Sequence, residues 1–135
     1  MIKKNIVVSG KRKTAIAKAT IKEGTGKVII NKVSYEFLDL FKKLSIMEPL
    51  EIARNVLGKT DFDISVRVVG GGSEGQIGAS RLAIAKAIIK FTGSEELKKK
   101  YSEYDKALLV ADVRRKEPYK PGDSKARRKR QKSFR

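Results

Sequence analysis

The segment that most constrains the fold is residues 114–135, because this stretch has no run of apolar side chains from which to build a core. It carries eleven Lys and Arg against only Glu117 and Asp123, a net charge of +9. Such a segment cannot bury enough apolar surface to offset the entropy lost on ordering. We therefore predict a globular domain over residues 1–113 and an extended basic tail over residues 114–135, disordered when free and in need of a polyanion to lie against.

The basic excess is not confined to the tail. Residues 1–113 hold 21 basic and 13 acidic side chains, a net charge of +8, and the whole chain of 135 residues carries +17. A chain of this length fits one domain. Clustered charge of this size is typical of a protein that neutralises nucleic-acid phosphates, although a merely soluble basic surface is the alternative interpretation.

Cys, His and Trp are all absent from the sequence. Their absence excludes disulfides, thiolate and imidazole metal sites, and catalysis of the Ser-His-Asp and Cys-His types. No paired-carboxylate pattern stands out, so we predict no enzyme, no catalytic residue, no metal and no cofactor. The apolar runs are shorter than the ~18 residues that span a bilayer and no signal-peptide pattern is present, which predicts a cytoplasmic protein without a membrane partner or a small-molecule substrate.

Period-two alternation of apolar residues predicts four strands. The first three, over residues 6–9, 14–22 and 27–31, are joined by short turns and predict an antiparallel meander. The fourth, over residues 62–69, has one well-defined buried face. The sequence therefore predicts a four-stranded, mostly antiparallel sheet.

Two helical segments are predicted between the third and fourth strands. The first follows a candidate N-cap at Ser34 and has an apolar stripe made of Phe37, Leu38, Phe41 and Leu44. The second is bracketed by Pro49 in its first turn and by Gly58 just after its end. We expect both segments to pack on the sheet.

The strongest helical pattern covers residues 76–91, and a short helix capped by Ser94 follows it. The apolar arc of the longer helix includes Arg81, whose guanidinium needs a carboxylate, a carbonyl or a phosphate as partner. Lys86 and Lys90 lie on the opposite face among alanines. The predicted fold class is α+β: one compact domain with helices packed on one face of the sheet, plus the basic C-terminal tail.

Gly70, Gly72 and Gly75 form a G-x-G-x-x-G pattern between a predicted strand and a predicted helix. A dinucleotide-binding loop has this context, but the acidic residue about 20 positions later, Glu95, starts a helix, and the preceding strands are predicted to form a meander. A tight strand-to-helix connection that needs positive φ is a second interpretation. We favour a third, in which exposed backbone N–H groups of the loop hold an RNA phosphate.

Two cationic clusters complete the pattern. Lys11, Arg12 and Lys13 lie at the predicted tip of the first hairpin, where a solvated turn is the alternative interpretation. Residues 125–135 contain most of the basic side chains of the tail, and the two prolines before them favour an extended leash. A nuclear-localisation signal or a nonspecific DNA-binding arm would have a similar composition.

Three stretches, in this order, resemble the family of the ninth protein of the small ribosomal subunit. They are SGKRKTAIAKA at residues 9–19, GGGSEGQ at 70–76 with ASRLAIAKA at 79–87, and KPG at 120–122 with KARR at 125–128 and QKSFR at 131–135. The resemblance covers essentially the whole chain. The ending looks like that of the archaeal and eukaryotic branch, because bacterial members end in Ser-Lys-Arg and have a basic residue where this chain has Phe134.

The resemblance implies a structural protein of the small-subunit head, docked on rRNA beside neighbouring head proteins, whose tail approaches the anticodon stem-loop of the P-site tRNA. The residues that it implies to be near tRNA are Lys132, Ser133, Phe134 and Arg135. With the charge pattern, the candidate rRNA-binding residues are Lys11, Arg12, Lys13, Gly70, Gly71, Gly72, Gln76, Arg81, Arg114, Arg115, Lys116, Lys120, Lys125, Arg127, Arg128, Lys129 and Arg130. A DNA-compacting protein and a nucleotide-binding enzyme using residues 70–75 are the alternative hypotheses.

Overall fold

The computed structural model describes residues 5–119 and has the α+β architecture that the sequence predicts. The strands in this range are β1 (Ile6–Arg12), β2 (Ala15–Glu23), β3 (Val28–Ile30), β4 (Val33–Ser34) and β5 (Phe62–Val69). The helices are α1 (Leu40–Leu57), α2 (Ser73–Thr92) and α3 (Glu95–Tyr104), with 3-10 helices at Tyr35–Phe37 and Lys106–Leu108.

The sheet has the order β1-β2-β5-β3-β4 and is antiparallel except where β3 runs parallel to β5. The predicted strand count and the predicted meander are therefore wrong in detail, because β4 adds a fifth strand and β5 separates β3 from β2. The chain passes through α1 between β3 and β5, and a parallel pair needs a crossover connection of this kind.

Asp63, near the start of β5, holds the connection between β2 and β3 in place. Its Oδ1 accepts hydrogen bonds from the backbone N–H groups of Thr25, Gly26 and Lys27 at 2.9, 3.1 and 3.0 Å. These bonds, with the one from Lys27 contributing most, hold the pKa of Asp63 below its ordinary value of 3.8. The connection thus crosses the start of β5, so that β3 forms on the far side of β5 from β2.

Helix α1 is continuous through Pro49, where two separate helices are predicted. The proline has no N–H to donate, but its C=O accepts a hydrogen bond from the buried Tyr101 hydroxyl at 2.7 Å. This bond joins α1 to α3, and burial raises the pKa of Tyr101. The predicted end of the helix is confirmed, because Gly58 follows it with φ of 74°.

Of the apolar stripe predicted for the first helical segment, only Leu38 packs against the core, and the other three side chains face solvent. Phe37 and Phe41 are each 82% exposed, and Leu44 is 47% exposed. Ser34 precedes a 3-10 helix, and its side chain makes no capping hydrogen bond. The first residue of α1 that is buried is Ile46, so the beginning of the helix lies outside the core.

Helix α2 is buried on two sides. Ala79, Ala83 and Ala87, which the sequence places opposite the apolar arc, are fully buried. Helix α2 packs against β1, β2 and β5, and α1 and α3 pack against α2. A Cβ on Gly10 would lie 2.6 Å from the C=O oxygen of Ala79 and 2.8 Å from the nitrogen of Ala83. Helix and strand therefore meet backbone to backbone, which only small residues permit.

Residues of β2 and β5 alternate between buried and exposed, as expected for a sheet with one covered face. The helices cover that face, as predicted, and the other face is open within residues 5–119. Among the helices that the structure describes, none is long and apolar enough to cross a membrane.

Candidate nucleic-acid interface

The hairpin tip and the glycine loop, predicted as two separate phosphate-binding sites, lie side by side. Lys13 forms part of the β1–β2 turn with φ of 53°. A Cβ on Gly70 would lie 2.7 Å from the C=O oxygen of Thr14, and a Cβ on Gly71 would lie 3.0 Å from the Cβ of Ala15. The pairing of β2 with β5 brings the turn and the loop to the same end of the sheet.

The conformation of the loop accounts for two of its glycines. Gly70 and Gly71 have φ of 78° and 67°, in the left-handed region that favours glycine. Gly72 is the N-cap of α2 with φ of −90°, and a Cβ there would meet open space. The side chain of Gln76 donates a hydrogen bond to the C=O of Gly70 at 3.1 Å, so this amide stabilises the loop from within.

The topology around the loop does not favour a dinucleotide site. Because β3, α1 and β5 form a βαβ unit, the expectation of a meander before the loop is wrong. The loop, however, follows that unit, and no strand comes after α2 within residues 5–119. A phosphate contact by residues 70–76 stays a prediction.

Arg12, the middle cation of the hairpin tip, is held by this chain's own carboxylate. Its guanidinium forms an ion pair with Asp112, and the two residues form a parallel β-bridge. Asp112 also accepts hydrogen bonds from Nε and Nη2 of Arg114 at 2.9 and 2.6 Å. The hydrogen bonds from Arg114 are the main reason that the pKa of Asp112 lies well below its ordinary value of 3.8. Lys11 and Lys13, in contrast, are exposed and form no ion pair with the residues described.

Arg81 also pairs with carboxylates of this chain. Its guanidinium contacts Glu48 of α1 and, at 3.3 Å, Asp105 at the end of α3, and its side chain is only 17% exposed. The sequence left open whether its partner is a carboxylate, a carbonyl or a phosphate. The structure shows that Arg81 links three helices, and an rRNA contact by this residue, which remains a prediction, would compete with these pairs.

A cleft of about 540 Å³ lies between the hairpin tip, α1 and α2. The charged side chains that line it are four cations and four carboxylates: Lys11, Arg12, Lys13, Arg81, Glu48, Glu74, Asp105 and Asp112. Its formal charge is therefore zero, and it offers little net attraction to a phosphate. Within residues 5–119, no group of three or more potential metal-ligating side chains occurs.

A different cationic surface lies on the open face of the sheet, and three of its four cations, Lys18, Lys22 and Arg67, are not among the site residues predicted from the sequence. Lys18 of β2 and Arg67 of β5 are directly opposite each other in register. Both are exposed, and neither forms an ion pair with a carboxylate of the described residues. Like charges opposite each other in a sheet are destabilising, so a polyanion bound here would relieve a repulsion present in the free protein.

Further cations and apolar side chains surround this pair. Lys11 is opposite Ile16, which is opposite Val69, and Lys22 is opposite Asp63. We define the open cationic face as Lys11, Lys18, Lys22 and Arg67. Period-two alternation in β2 and β5 places Lys18, Lys22 and Arg67 on the face opposite the buried apolar residues, whereas Lys11 is predicted to lie in a turn. The signal missing from the sequence was the pairing of β2 with β5.

The structure describes only the first part of the predicted tail. Arg114 is bound to Asp112, and Arg115 donates hydrogen bonds to the C=O groups of both residues at 3.0–3.1 Å. The ammonium of Lys116 lies 4.7 Å from the ring centre of Tyr119. The other predicted RNA-contacting residues lie outside the described residues: Lys120, Lys125, Arg127, Arg128, Lys129, Arg130, Lys132, Ser133, Phe134 and Arg135.

Comparison with known proteins identifies the family. The family described as ribosomal protein S9/S16 matches residues 10–135. The chain belongs to the S9/S16 family. A protein named small ribosomal subunit protein uS9, from Methanococcus maripaludis strain C7, is 50% identical over 129 residues, which cover 93% of this chain and 95% of the relative. The protein of the same name from Methanococcus vannielii is 49% identical over the same length.

These relatives confirm both the predicted family and its archaeal-like branch. Membership of a ribosomal protein family makes the chain a structural protein of translation and not an enzyme. The division of the S9/S16 protein at residue 113, and the role of each predicted RNA-contacting residue, remain predictions.

Proposed function

We propose that this S9/S16 protein is a structural constituent of the small-subunit head that binds rRNA through its globular domain and reaches the P-site tRNA with its C-terminal tail. The name shared by its relatives, small ribosomal subunit protein uS9, supports the assignment to that subunit. The proposal places the protein in the cytoplasm, bound to the ribosome and beside other head proteins. Two parts of the chain, residues 1–113 and 114–135, carry the two roles.

The observation that carries the rRNA part is the open cationic face. Lys18 and Arg67 are opposite each other without a carboxylate partner among the described residues, so their full charge is available to a phosphate backbone. Exposed Lys11 and Lys13 extend this charge to the hairpin tip, beside the loop of residues 70–76. Contacts of this kind position RNA and carry little sequence information.

The tail supplies the second role. Residues 120–135 contain eight basic side chains against one acidic side chain, Asp123, a charge suited to neutralising phosphates where RNA helices lie close together. Residues 132–135 would meet the tRNA, with Arg135 on a phosphate. Removal of residues 133–135 should leave folding and assembly intact and weaken retention of P-site tRNA, measured by filter binding to isolated subunits. A truncated protein that no longer assembled would instead identify the tip as an rRNA anchor.

The first test is sedimentation of a cell lysate through a sucrose gradient at moderate salt. We expect the protein to migrate with the small subunit and to be released only by high salt. The logarithm of the binding constant falls with the logarithm of the salt concentration, with a slope of roughly 0.7 to 0.9 for each phosphate neutralised. A protein that stays at the top of the gradient would contradict the proposal. Competition in gel shifts adds a second criterion, since a DNA-compacting protein would bind duplex DNA at least as well as folded rRNA.

A further inference from the structure

The start of α1 exposes a group of large apolar side chains. Phe37, Leu40, Phe41 and Leu44 are 82%, 66%, 82% and 47% exposed, and we call these four residues the apolar ridge. The last three fall within an arc of about 100° on the helix, and Phe37 belongs to the 3-10 helix that contacts α1. Contiguous exposed patches of this kind mark interaction sites more often than isolated apolar residues do.

The apolar ridge is not part of the folding core. Core burial in α1 begins only at Ile46 and continues through Leu50 and Ala53. The helix thus has a second half that packs against α2 and α3 and a first half whose largest apolar side chains meet solvent. The sequence pattern is that of a packed helix face, yet this chain supplies no cover for it within residues 5–119.

The charges around the ridge differ from those of the rest of the molecule. Residues 33–50 contain three acidic and two basic side chains, a net charge of −1 in a chain of +17. Asp39 is 84% exposed in its side chain and pairs with Lys42 at 3.4 Å, and Glu36 is also exposed. A phosphate backbone is therefore attracted less to this surface than to the open cationic face.

Two occupants from the chain itself fit poorly. A second copy would bring together two molecules of charge +17, whose repulsion opposes association. Residues 120–135 contain only one large apolar side chain, Phe134, which cannot cover four. The ridge is suited instead to an apolar groove that binds the apolar face of an amphipathic helix. Basic groups at the rim of such a groove would contact Glu36 and Asp39.

We propose that the apolar ridge docks into an apolar groove, rimmed by basic side chains, on another protein of the small subunit. The inference rests on the proposed function, because it needs the protein to be in that subunit. Phe37 and Phe41 are the anchors, since exposed aromatic side chains that fill pockets contribute most to such interfaces. The site is separate from the open cationic face and from the tail.

Photo-crosslinking of assembled subunits tests this inference. Phe41 is replaced by p-benzoylphenylalanine, and Tyr104, which is 57% exposed at the end of α3, receives the same replacement as a control. Small subunits isolated from cells producing each variant are irradiated and treated with nuclease. The proteins cross-linked to each variant are then identified by mass spectrometry. We expect a cross-link from position 41 to one other protein of the subunit, at higher yield than from position 104.

The outcomes separate the inference from the proposed function. Cross-links from position 41 to rRNA, to a second copy or to this chain's own tail would overturn the inference alone, as would incorporation without any cross-link. Absence of the protein from small subunits would overturn both.

A pair of variants measures the contribution of the ridge. Phe37→Ser/Phe41→Ser should keep the melting temperature of the free protein and raise its dissociation constant for protein-depleted subunits by at least about 30-fold. That factor is typical of the loss of one anchoring aromatic and is therefore a lower limit for the loss of two. The difference should persist at high salt, because apolar contacts are not screened. Tyr104→Ser/Val110→Ser, which removes exposed apolar side chains elsewhere, should bind normally. Equal binding by both double variants would contradict the inference.

Discussion

The cleft beside the hairpin tip and the open face of the sheet differ in how their cations are partnered. In the cleft, Arg12 is paired with Asp112, and Arg81 is paired with Glu48 and Asp105. On the open face, Lys18 and Arg67 are opposite each other, with no carboxylate of the described residues bound to either. A count of basic residues therefore does not locate a phosphate site, because only cations without internal partners keep their charge for a ligand.

The largest effect should come from removing a paired cation. Arg81→Met should lower the free energy of unfolding by about 2 kcal/mol, because it leaves two carboxylates without their partner. The loss is smaller than for a fully buried ion pair, since the side chains of Glu48 and Asp105 are 38% and 42% exposed. Urea denaturation measures it. Unchanged stability would mean that the cleft pairs are as dispensable as surface ion pairs.

Removing the unpaired cations should affect RNA and not folding. Lys18→Gln/Arg67→Gln should weaken binding to small-subunit rRNA about tenfold at physiological salt. The slope of the logarithm of the binding constant against the logarithm of the salt concentration should become shallower by roughly 1.4 to 1.8, because two phosphate contacts are lost. Filter binding across a salt series measures both quantities. Lys98→Gln/Lys99→Gln, which removes the same charge from the exposed side of α3, is the matched control. Equal losses in the two double variants would show that only total charge matters.

A smaller effect is expected in acid. Asp63 and Asp112 both have a folded-state pKa below the ordinary 3.8, so their contribution to stability is complete above about pH 4 and is lost as the pH falls through the folded-state pKa. Thermal melting between pH 2 and pH 7 should show this loss. The melting temperature of Asp112→Asn should depend less on pH than that of the unmodified protein. If the two proteins lost stability equally as the pH fell, the Asp112 carboxylate would not be a source of the pH dependence.

The smallest effect distinguishes the two surfaces by sign. Lys18→Gln alone should raise the free energy of unfolding by a few tenths of a kcal/mol, because it removes repulsion from Arg67. This is opposite in sign to the effect of Arg81→Met. A destabilised Lys18→Gln protein would show that Lys18 has a structural role.

Several local features were predictable from the sequence. The alternation in β2 and β5 identified their exposed residues, and Ser94 was predicted as the cap of α3, where its hydroxyl accepts a hydrogen bond from the N–H of Leu97 at 3.2 Å. Gly58 was predicted at the end of α1 and adopts positive φ there. Each of these signals depends on a few consecutive residues, so a single sequence contains it.

Other features depend on contacts between distant parts of the chain. The stripe at Phe37 and Phe41 has the spacing of a core face, yet it is exposed, because helical periodicity shows which residues share a face and not what covers that face. The sequence places Pro49 in the first turn of a helix, but the helix continues through it, and its C=O accepts a hydrogen bond from Tyr101, 52 residues later.

The sequence by itself determined the α+β class, the strongly basic charge and the family of this protein. Periodicity, composition and short motifs indicate these three properties directly. Only the tertiary structure decided the order of the strands, and with it which cations remain free. Lys18 and Arg67 are 49 positions apart in the chain, and they become neighbours because β5 inserts between β2 and β3. Strand order depends on contacts between residues that are far apart in the chain. Local sequence patterns do not specify these contacts, so the packing of the whole domain determines which strands pair.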